Sequence, residues 1–212
     1  MRVRAMTDAD VRGAVRLHVD VLPMEFLTRF GERFLRTYYR AWRAAPGGLA
    51  LVAEEEGRVV GALLGATGPA EHTRAMVRRD GWRLARDMGR ALARDRSLAR
   101  DVLVTRARRY AGGLYRLARR RSSAAGSPVT GPVVGEVTHV LVDAGQQGHG
   151  IGRALVAEAI TQARVAGDEQ LVLVTPPDLA AQHFYDRLGW RRDGEITSRS
   201  GEVFLRYRYD VR

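Results

Sequence analysis

The stretch QQGHGIGRALV, residues 146–156, places three glycines at alternate positions and then continues directly into an apolar helical pattern. Because residues 133–142 alternate like a strand, the sequence predicts a strand, a glycine-rich turn and a helix N-terminus in succession. Free backbone N–H groups and the positive end of the helix dipole make such a turn a site for a phosphate-bearing ligand. Gly148, Gly150 and Gly152 would allow the backbone to approach that ligand closely.

Two familiar phosphate-binding loops do not fit this spacing. A Walker loop needs Lys and then Ser or Thr after its second glycine; Gly145 and Gly150 have the right separation, but Ile-Gly follows. The dinucleotide fingerprint would start at Gly148 and require glycine where Arg153 stands, and it belongs near the first strand of a βαβ unit. Two alternatives remain: a phosphate-binding turn of another kind, or a turn that merely packs a helix against a sheet.

Composition limits the class of protein. The chain has 212 residues, no cysteine and no lysine, and its net charge is +11. This length suits one generous domain, and the absence of cysteine excludes a disulfide framework and thiolate metal sites. The N-terminus lacks the apolar stretch of a signal peptide, and no apolar run is long enough to span a membrane. We therefore expect a cytoplasmic protein.

The excess positive charge lies in one segment. Residues 70–121 hold sixteen arginines and five acidic residues, whereas the rest of the chain is balanced. The segment is helical by pattern, and SSAAGSPVTGP at 122–132 predicts a flexible link. Its charge could attract an anionic substrate, dock on an anionic membrane surface or acidic partner, or simply belong to solvated helices. It lacks interleaved exposed aromatics and any recognisable binding module, which argues against a nucleic-acid partner.

The remaining pattern is that of a mixed α/β chain. Thr7 and Asp10 resemble a capping box for a helix that reaches about Leu22, and Gly189 occupies a C-cap position. Glu56-Gly57 predicts the turn of a hairpin. Strands are expected at 2–6, 49–54, 58–66, 133–142, 171–175, 190–197 and 202–209, and the other helices at 25–42, after the glycine loop to 166, and at 178–188.

Two motifs carry a family resemblance. Gln147–Gly152 matches Q/R-x-x-G-x-G/A, the acetyl-CoA pyrophosphate loop of the GNAT N-acetyltransferase superfamily. DLAAQHFYDRLGW at 178–190 resembles that family's NxxAxxFYxxxGF segment, with Phe184 and Tyr185 at matching offsets. The resemblance implies a central, mostly antiparallel twisted sheet, splayed at the CoA site and flanked by helices. We expect one domain over 1–212. The basic helical insertion at about 70–121, between the third and fourth strands, is not part of the resemblance.

The resemblance implies acetyl-CoA as co-substrate and no metal. The pyrophosphate would be held by the loop and the start of its helix, and the pantetheine and thioester by the backbone of the preceding strand. Asp178 stands where the family usually places an asparagine that contacts the cofactor, and an aspartate can still act as a helix N-cap there. The residues assigned to cofactor binding are Val140, Leu141, Val142, Gln147, Gly148, His149, Gly150, Ile151, Gly152, Arg153 and Asp178.

Tyr185 matches the family tyrosine near the CoA sulfur, and a phenol is protonated at neutral pH and can donate to a leaving thiolate. Glu136, eleven positions before Gln147, has the offset of the glutamate base in some GNAT enzymes. Strand alternation predicts that Glu136 shares a face with Val140 and that His139 points to the opposite face. The alternatives are a core tyrosine, a solvated glutamate, and a water chain that relays the proton.

The sequence gives the least information about the amine that would accept the acetyl group. In the family the first two helices and the last hairpin shape the amine pocket, which suggests Glu25, Phe26, Arg29, Phe30 and the turn at 197–202. The expected activity is acetylation of a primary amine of a small molecule, such as an amino sugar or another anionic acceptor, by a monomer or homodimer. The competing hypothesis is a non-catalytic CoA-binding scaffold whose basic helices dock on a membrane or acidic partner.

Overall fold

A computed structural model describes residues 1–103, 133–197 and 201–212. In chain order the elements are β1 (Arg2–Ala5), α1 (Val11–Val21), α2 (Gly31–Ala44), β2 (Gly48–Glu55), β3 (Arg58–Ala66), α3 (Pro69–Arg94), α4 (Arg96–Asp101), β4 (Val134–Val142), α5 (Ile151–Ala166), β5 (Gln170–Thr175), α6 (Leu179–Arg187), β6 (Arg191–Thr197) and β7 (Val203–Asp210), with 3-10 turns at Thr28–Phe30 and Ala144–Gln146.

The strands form one seven-stranded sheet in the order β1-β2-β3-β4-β5-β7-β6. Every neighbouring pair is antiparallel except β4 and β5, which run parallel. Helices α1, α2 and α3 cover one face, hereafter the α1/α2 face, and α5 covers the other, hereafter the α5 face. The expected central, mostly antiparallel sheet flanked by helices is confirmed.

Alternating side chains of the central strands divide the core between these two faces. In β3, Leu64 belongs to the cluster under α1 and α2, whereas its neighbour Leu63 belongs to the cluster under α5. Both are fully buried, and so are Leu35 of α2 and Leu155 of α5. Strands that are apolar at successive positions are therefore explained by burial on both faces of the sheet.

The hairpin turn at Glu56 and Gly57 and part of the capping box at Thr7 and Asp10 are present as the sequence predicts. Glu56 and Gly57 have φ values of 49° and 76°, as the two-residue hairpin turn requires. The Asp10 carboxylate accepts the Thr7 N–H at 2.7 Å and the Thr7 hydroxyl at 2.6 Å, which is one half of the expected capping box. The regular helix nevertheless begins only at Val11, because residues 8–10 form a turn.

The second helix begins later than expected. The apolar stripe predicts a helix from residue 25, but α2 starts at Gly31, whose φ of 82° is outside the helical region. The segment before it makes only a 3-10 turn, Thr28–Phe30. As a result Glu25 lies in a connection between α1 and α2, and its carboxylate is free to reach back to α1.

Helices α3 and α4 lie between the third and fourth strands, as expected of the insertion. Two of the three acidic side chains of α3 are on its inner side: Asp87, 3% exposed, accepts the Thr37 hydroxyl at 2.8 Å and faces Arg33 at 3.2 Å. Asp80 is also buried and pairs with Arg83 at 2.9 Å. Because the acids are turned inward, the outer side of α3 is arginine-rich. The predicted insertion beyond residue 103 and the link at 122–132 lie outside the described residues.

The outer side of α3 carries one exposed aromatic. Trp82 is 61% exposed, with the guanidinium carbons of Arg83 and Arg86 at 5.4 and 5.3 Å from its ring. The expectation that the basic segment lacks exposed aromatics is therefore wrong at this position. Over the described ranges, no helix is both long enough and apolar enough to cross a membrane.

Candidate active site

The central strands separate where the glycine loop approaches. Parallel pairing of β4 with β5 ends at Val137↔Leu173, whereas the pairing of β4 with β3 continues to Val142↔Gly61. Residues 138–142 therefore have a strand on one side and, among the described residues, none on the other. An open strand edge presents unpaired backbone N–H and C=O groups. The splay expected from the sequence resemblance is present.

The loop after β4 owes its shape to specific glycines. The Asp143 carboxylate accepts the Gly145 N–H at 2.9 Å and so supports the 3-10 turn. Gly148 and Gly150 each have a φ of 81°, a conformation that side-chain-bearing residues rarely adopt. Gly152 has a different reason: a Cβ there would lie 3.1 Å from the Phe184 ring, so glycine allows α5 to pack closely on α6.

The N-terminus of α5 is open. Its N-cap, Gly150, supplies no capping side chain, and the first turn contains no acidic residue. Ala154 is the first residue of the helix whose N–H reaches the i−4 carbonyl, that of Gly150, at 3.0 Å. Residues 147–150 are exposed, and the His149 Nδ1 lies 3.0 Å from the Gln147 carbonyl oxygen. The N–H groups of the first turn thus remain available to an anion.

Asp178 acts as the N-cap of α6. Its carboxylate accepts the Ala180 N–H at 3.0 Å, and its backbone is extended, as N-cap residues usually are. The capping role expected of Asp178 is confirmed. Its contact with a cofactor stays a prediction.

Tyr185 lies in the last turn of α6 and is 8% exposed. Its ring centroid is 5.0 Å from that of Phe184, 5.8 Å from Trp190 and 5.6 Å from Tyr207. Burial raises the pKa of Tyr185 to about 12. The phenol is therefore protonated at neutral pH, and in chemistry it would give a proton rather than take one.

A β-bulge changes the faces of β4. The pairing passes from Gly65↔Val137 to Leu64↔His139, so Thr138 has no partner, and its hydroxyl donates to the Leu64 carbonyl at 3.0 Å. Glu136 and His139 consequently lie opposite Ala66 and Leu64, two positions on the same face of β3. The expectation that His139 points away from Glu136 is wrong, because strand alternation is interrupted at the bulge. Both side chains are on the α1/α2 face, whereas Val140 and Val142 are on the α5 face.

On the α1/α2 face, four side chains from distant parts of the chain meet. The His18 Nε2 lies 2.9 Å from the Glu25 Oε2, and the His18 Nδ1 lies 2.9 Å from the Tyr39 hydroxyl. The His139 Nε2 is 3.8 Å from the other Glu25 oxygen, Oε1, and the two imidazole rings are 5.1 Å apart. Hereafter this group, Tyr39, His18, Glu25 and His139, is called the histidine cluster. His18 and Tyr39 are fully buried.

Opposite effects act on the two carboxyl groups of this face. Burial raises the pKa of Glu25, but hydrogen bonds and charges from His139 and His18 outweigh it and bring the pKa to about 2. Burial raises the pKa of Glu136, and only the charge of His139 opposes it. Glu25 is therefore a fixed carboxylate at neutral pH, whereas Glu136 is easier to protonate.

The nitrogen and oxygen atoms that His18, Glu25 and His139 present to one another lie within 4.8 Å, and such a donor set suits divalent metals. Here, however, His18 and Glu25 bond directly at 2.9 Å. The contacts among these three residues are therefore those of a hydrogen-bonded network.

The residues expected to line an acceptor pocket differ in placement. Glu25 is part of the histidine cluster. Phe30 is 5% exposed and lies in the core, 5.1 Å from the Phe26 ring and 4.9 Å from that of Phe34. Arg29 makes an ion pair with Asp101 of α4 at 2.8 Å. Of the predicted turn at 197–202, residues 198–200 lie outside the described residues.

Sequence reasoning missed His18 and Tyr39. A signal was available, since a histidine on the apolar side of an amphipathic helix needs a buried polar partner. The identity of that partner was not, because Tyr39 and Glu25 reach His18 only through the packing of α2 on α1.

Comparisons with known proteins bear on this geometry. Residues 101–190 match the acetyltransferase (GNAT) family. The match covers 90 of the 212 residues and shows a likeness to the GNAT family over that segment. The matched segment contains the glycine loop, Tyr185 and Glu136, and it begins inside the segment that the sequence predicts to be an insertion. This match supports acetyl transfer as the general activity.

Solved structures share the GNAT fold. A crystal structure of an acetyltransferase is 20% identical, with a TM-score of 0.62 and complete coverage of both chains. An N-acetyltransferase from Staphylococcus aureus Mu50 is 14% identical, with a TM-score of 0.59, covering 100% of this chain and 98% of its own. The ribosomal-protein-alanine N-acetyltransferase from Brucella melitensis is 18% identical, with a TM-score of 0.55 and 99% of both chains covered. Among curated proteins, no sequence match was found.

Proposed function

We propose that this GNAT protein moves the acetyl group of acetyl-CoA to a primary amine of a small molecule. The observation that carries the proposal is the splay of β4 from β5 immediately before an uncapped helix N-terminus. An open strand edge followed by an open anion site suits an amide-bearing chain that ends in a pyrophosphate. CoA has both parts.

The loop would hold the pyrophosphate through the backbone N–H groups of residues 148–153. The side chains of Gln147 and Arg153 flank that turn, and both are exposed. The unpaired backbone of residues 140–142 would bind the pantetheine and orient the thioester carbonyl. Donors fixed in advance at that carbonyl stabilise the oxyanion of the tetrahedral intermediate, which is a large term in acyl transfer.

Tyr185 would protonate the departing CoA thiolate. Its raised pKa keeps the proton on the phenol until the sulfur develops negative charge. Glu136 is the base that the family resemblance suggests. Its burial favours this role to the extent that a raised pKa brings a carboxylate closer to the operating pH.

The acceptor proposal rests on two features that act at different ranges. Close to the site, Glu25 and Glu136 are carboxylates that would attract the ammonium form of an amine. Farther away, the arginines of the basic segment would attract an acceptor that also carries negative charge, such as a phosphorylated amino sugar. Arg29 contributes little to that attraction, because it is paired with Asp101.

The experiment is incubation with acetyl-CoA and a panel of amines that includes amino sugars, polyamines and peptides, with release of free thiol as the readout. We expect at least one amine to give turnover that is absent without amine. If CoA raises the melting temperature but no amine gives turnover, the protein is a CoA-binding scaffold without activity. Asp178, in place of the family's asparagine, is the feature that favours this second candidate.

The basic segment supports a further docking proposal, to an anionic membrane surface or acidic partner. Its outward arginines and exposed Trp82 are features of interfacial helices. Co-sedimentation with vesicles that contain 30 mol % or so of anionic lipid should fall steeply as salt rises. Sedimentation that is indifferent to lipid charge and to salt would exclude the electrostatic version.

A further inference from the structure

We infer that His139 is the base that takes the proton from the attacking amine, and that Glu25, His18 and Tyr39 position it for that role. The inference rests on the proposed function, since it concerns the same site. It differs from the family expectation, which places the base at Glu136.

The tautomer of His139 follows from its neighbours. The Thr138 hydroxyl has one proton, which it donates to the Leu64 carbonyl at 3.0 Å. The His139 Nδ1 lies 3.2 Å from the same hydroxyl oxygen, so Nδ1 must be the donor of that contact. A neutral imidazole with its proton on Nδ1 has a free lone pair on Nε2. That nitrogen is therefore able to accept a proton.

The orientation of the other hydrogen bonds is fixed in the same way. A carboxylate only accepts, so the His18 Nε2 donates to the Glu25 Oε2 at 2.9 Å. In its neutral form His18 accepts at Nδ1 from the Tyr39 hydroxyl, also at 2.9 Å. Because Oε2 is used by His18, Oε1 is the Glu25 oxygen left to face the His139 Nε2, at 3.8 Å. His18 and Tyr39 thus hold Glu25 where it can stabilise an imidazolium.

Among the described residues, the two carboxyl groups near His139 favour this direction of proton transfer. From the connection between α1 and α2 comes Glu25, and from β4 comes Glu136. His18 faces it from α1, with the two rings 5.1 Å apart, and Tyr39 of α2 contacts His18, with Tyr38 beside Tyr39. Burial holds the pKa of both tyrosines far above the usual value, so they are neutral. In the described part of the chain, the groups that can carry negative charge near His139 are therefore these two carboxyls, and both would stabilise a positive charge on it.

Bonds and protons balance in the proposed acetyl transfer. His139 removes one proton from the substrate ammonium, and the free amine nitrogen attacks the thioester carbon, forming the C–N bond. The C–S bond then breaks, and the thiolate takes the proton of Tyr185. The nitrogen loses its second proton as the amide forms, and that proton restores Tyr185. The products are the amide, CoA with its thiol protonated, and one proton that His139 releases to solvent.

The first test compares two substitutions at the candidate bases. H139Q should lower kcat/KM for the amine at pH 7.5 by roughly 10²–10⁴-fold, and E136Q by less than about tenfold. H183Q, at an exposed histidine of α6, is the matched control and should behave like the wild type. If H139Q stays within about threefold of the wild type while E136Q loses turnover, the base is Glu136 and the inference fails, with the proposed function intact. If the wild type itself turns over no amine, the proposed function fails and the inference with it.

The second test addresses positioning. E25Q removes the charge opposite His139, so the acidic limb of the pH profile of kcat/KM should move to lower pH, and E25D should restore much of the shift. A merely structural role for Glu25 would change the melting temperature and leave the limb in place, which would overturn its assignment.

A third readout does not need turnover. Long-range ¹H–¹⁵N correlation spectra of the ¹⁵N-labelled protein, assigned with H139Q, report which ring nitrogen carries the proton. We expect a protonated Nδ1 and a bare Nε2 at His139 in the neutral form. A proton on Nε2 would contradict the assignment of His139 as the base.

Discussion

Gly152 and Phe184 set the spacing between α5 and α6, because a Cβ at position 152 would lie 3.1 and 3.3 Å from two atoms of the Phe184 ring. Gly152 is the second residue of α5, which follows the glycine loop, and Phe184 precedes Tyr185 in α6. Their contact therefore connects the glycine loop with the helix that carries Tyr185.

The first prediction concerns that contact. Gly152→Ala should destabilise the fold by about 1–3 kcal/mol, as overpacking of a tight contact does, and should weaken CoA binding. Gly89→Ala in α3 is the matched control, because a Cβ there meets nothing within 4 Å. It should stabilise by about 0.5–1 kcal/mol, since alanine is the better helix former. Urea unfolding of both variants measures the difference, and a stabilised Gly152→Ala would show that Phe184 moves freely.

Tyr185→Phe tests the proton donor. Removal of one hydroxyl should lower kcat by roughly 10²–10⁴-fold and leave the Kd for CoA nearly unchanged, because the ring contacts remain. Steady-state thiol release and thermal shift with CoA provide the two values. Equal losses in kcat and CoA affinity would reassign Tyr185 to packing.

Asp168 gives a stability that depends on pH. Its Oδ2 is buried without a hydrogen-bond partner in the described part of the chain, and burial raises its pKa to about 6. The folded state therefore binds a proton more tightly than the unfolded state, whose carboxyl titrates near 4. The corresponding stability is fully present below pH 4 or so and is lost as the pH rises through about 6.

We accordingly expect Asp168→Asn to stabilise the protein at pH 7.5 by about 1–3 kcal/mol, since the amide cannot ionise. The gain should shrink as the pH falls to 5. Urea unfolding of the wild type and the variant at both pH values checks this. An advantage of the variant that is the same at both pH values would point to an effect of shape, not ionisation.

Asp87 gives the opposite dependence. Burial alone would raise the pKa of Asp87. The hydrogen bond from Thr37 and the guanidinium groups of Arg86 and Arg33 outweigh burial and lower the pKa to about 2. The stability from the ionised carboxylate is therefore present above a pH near 4 and is lost as the pH falls towards 2. Asp87→Asn should cost about 1–3 kcal/mol at pH 7, the range for hydrogen bonds to a charged group.

The control for Asp87 is an exposed acid–arginine pair. Glu32→Gln breaks the i,i+4 pair with Arg36, at 3.2 Å, in which both side chains are at least 40% exposed. It should change the unfolding free energy by less than about 0.5 kcal/mol. Similar losses in the two variants would mean that α3 does not depend on its inward acids.

The parts of the fold that the sequence predicts well are those that depend on near neighbours. The positive φ of Gly148, the turn at Glu56 and Gly57, and the cap at Asp178 each follow from residues within a few positions. Two family motifs were enough to predict the sheet and its splay.

What could not be predicted depends on tertiary packing. The late start of α2 releases Glu25, and α2 then brings Tyr39 to His18. The partners of Thr138 are on another strand, so no pattern in β4 itself announces the bulge. The cofactor loop was therefore visible in the sequence, whereas the histidine cluster was not.

Because of the bulge at Thr138, the number of residues along β4 no longer gives the position on the sheet directly. A deletion of Thr138 would restore a regular ladder and leave Glu136, His139 and Leu141 on the face that they already occupy. Thr138 thus adds one residue to β4 without adding a position to the ladder, while its hydroxyl still contacts the His139 Nδ1. The eleven positions from Gln147 back to Glu136 include Thr138. In a strand without the bulge, the residue at that offset would lie on the opposite face of the sheet. In this chain, positions on the sheet are therefore counted from the bulge and not from the glycine loop.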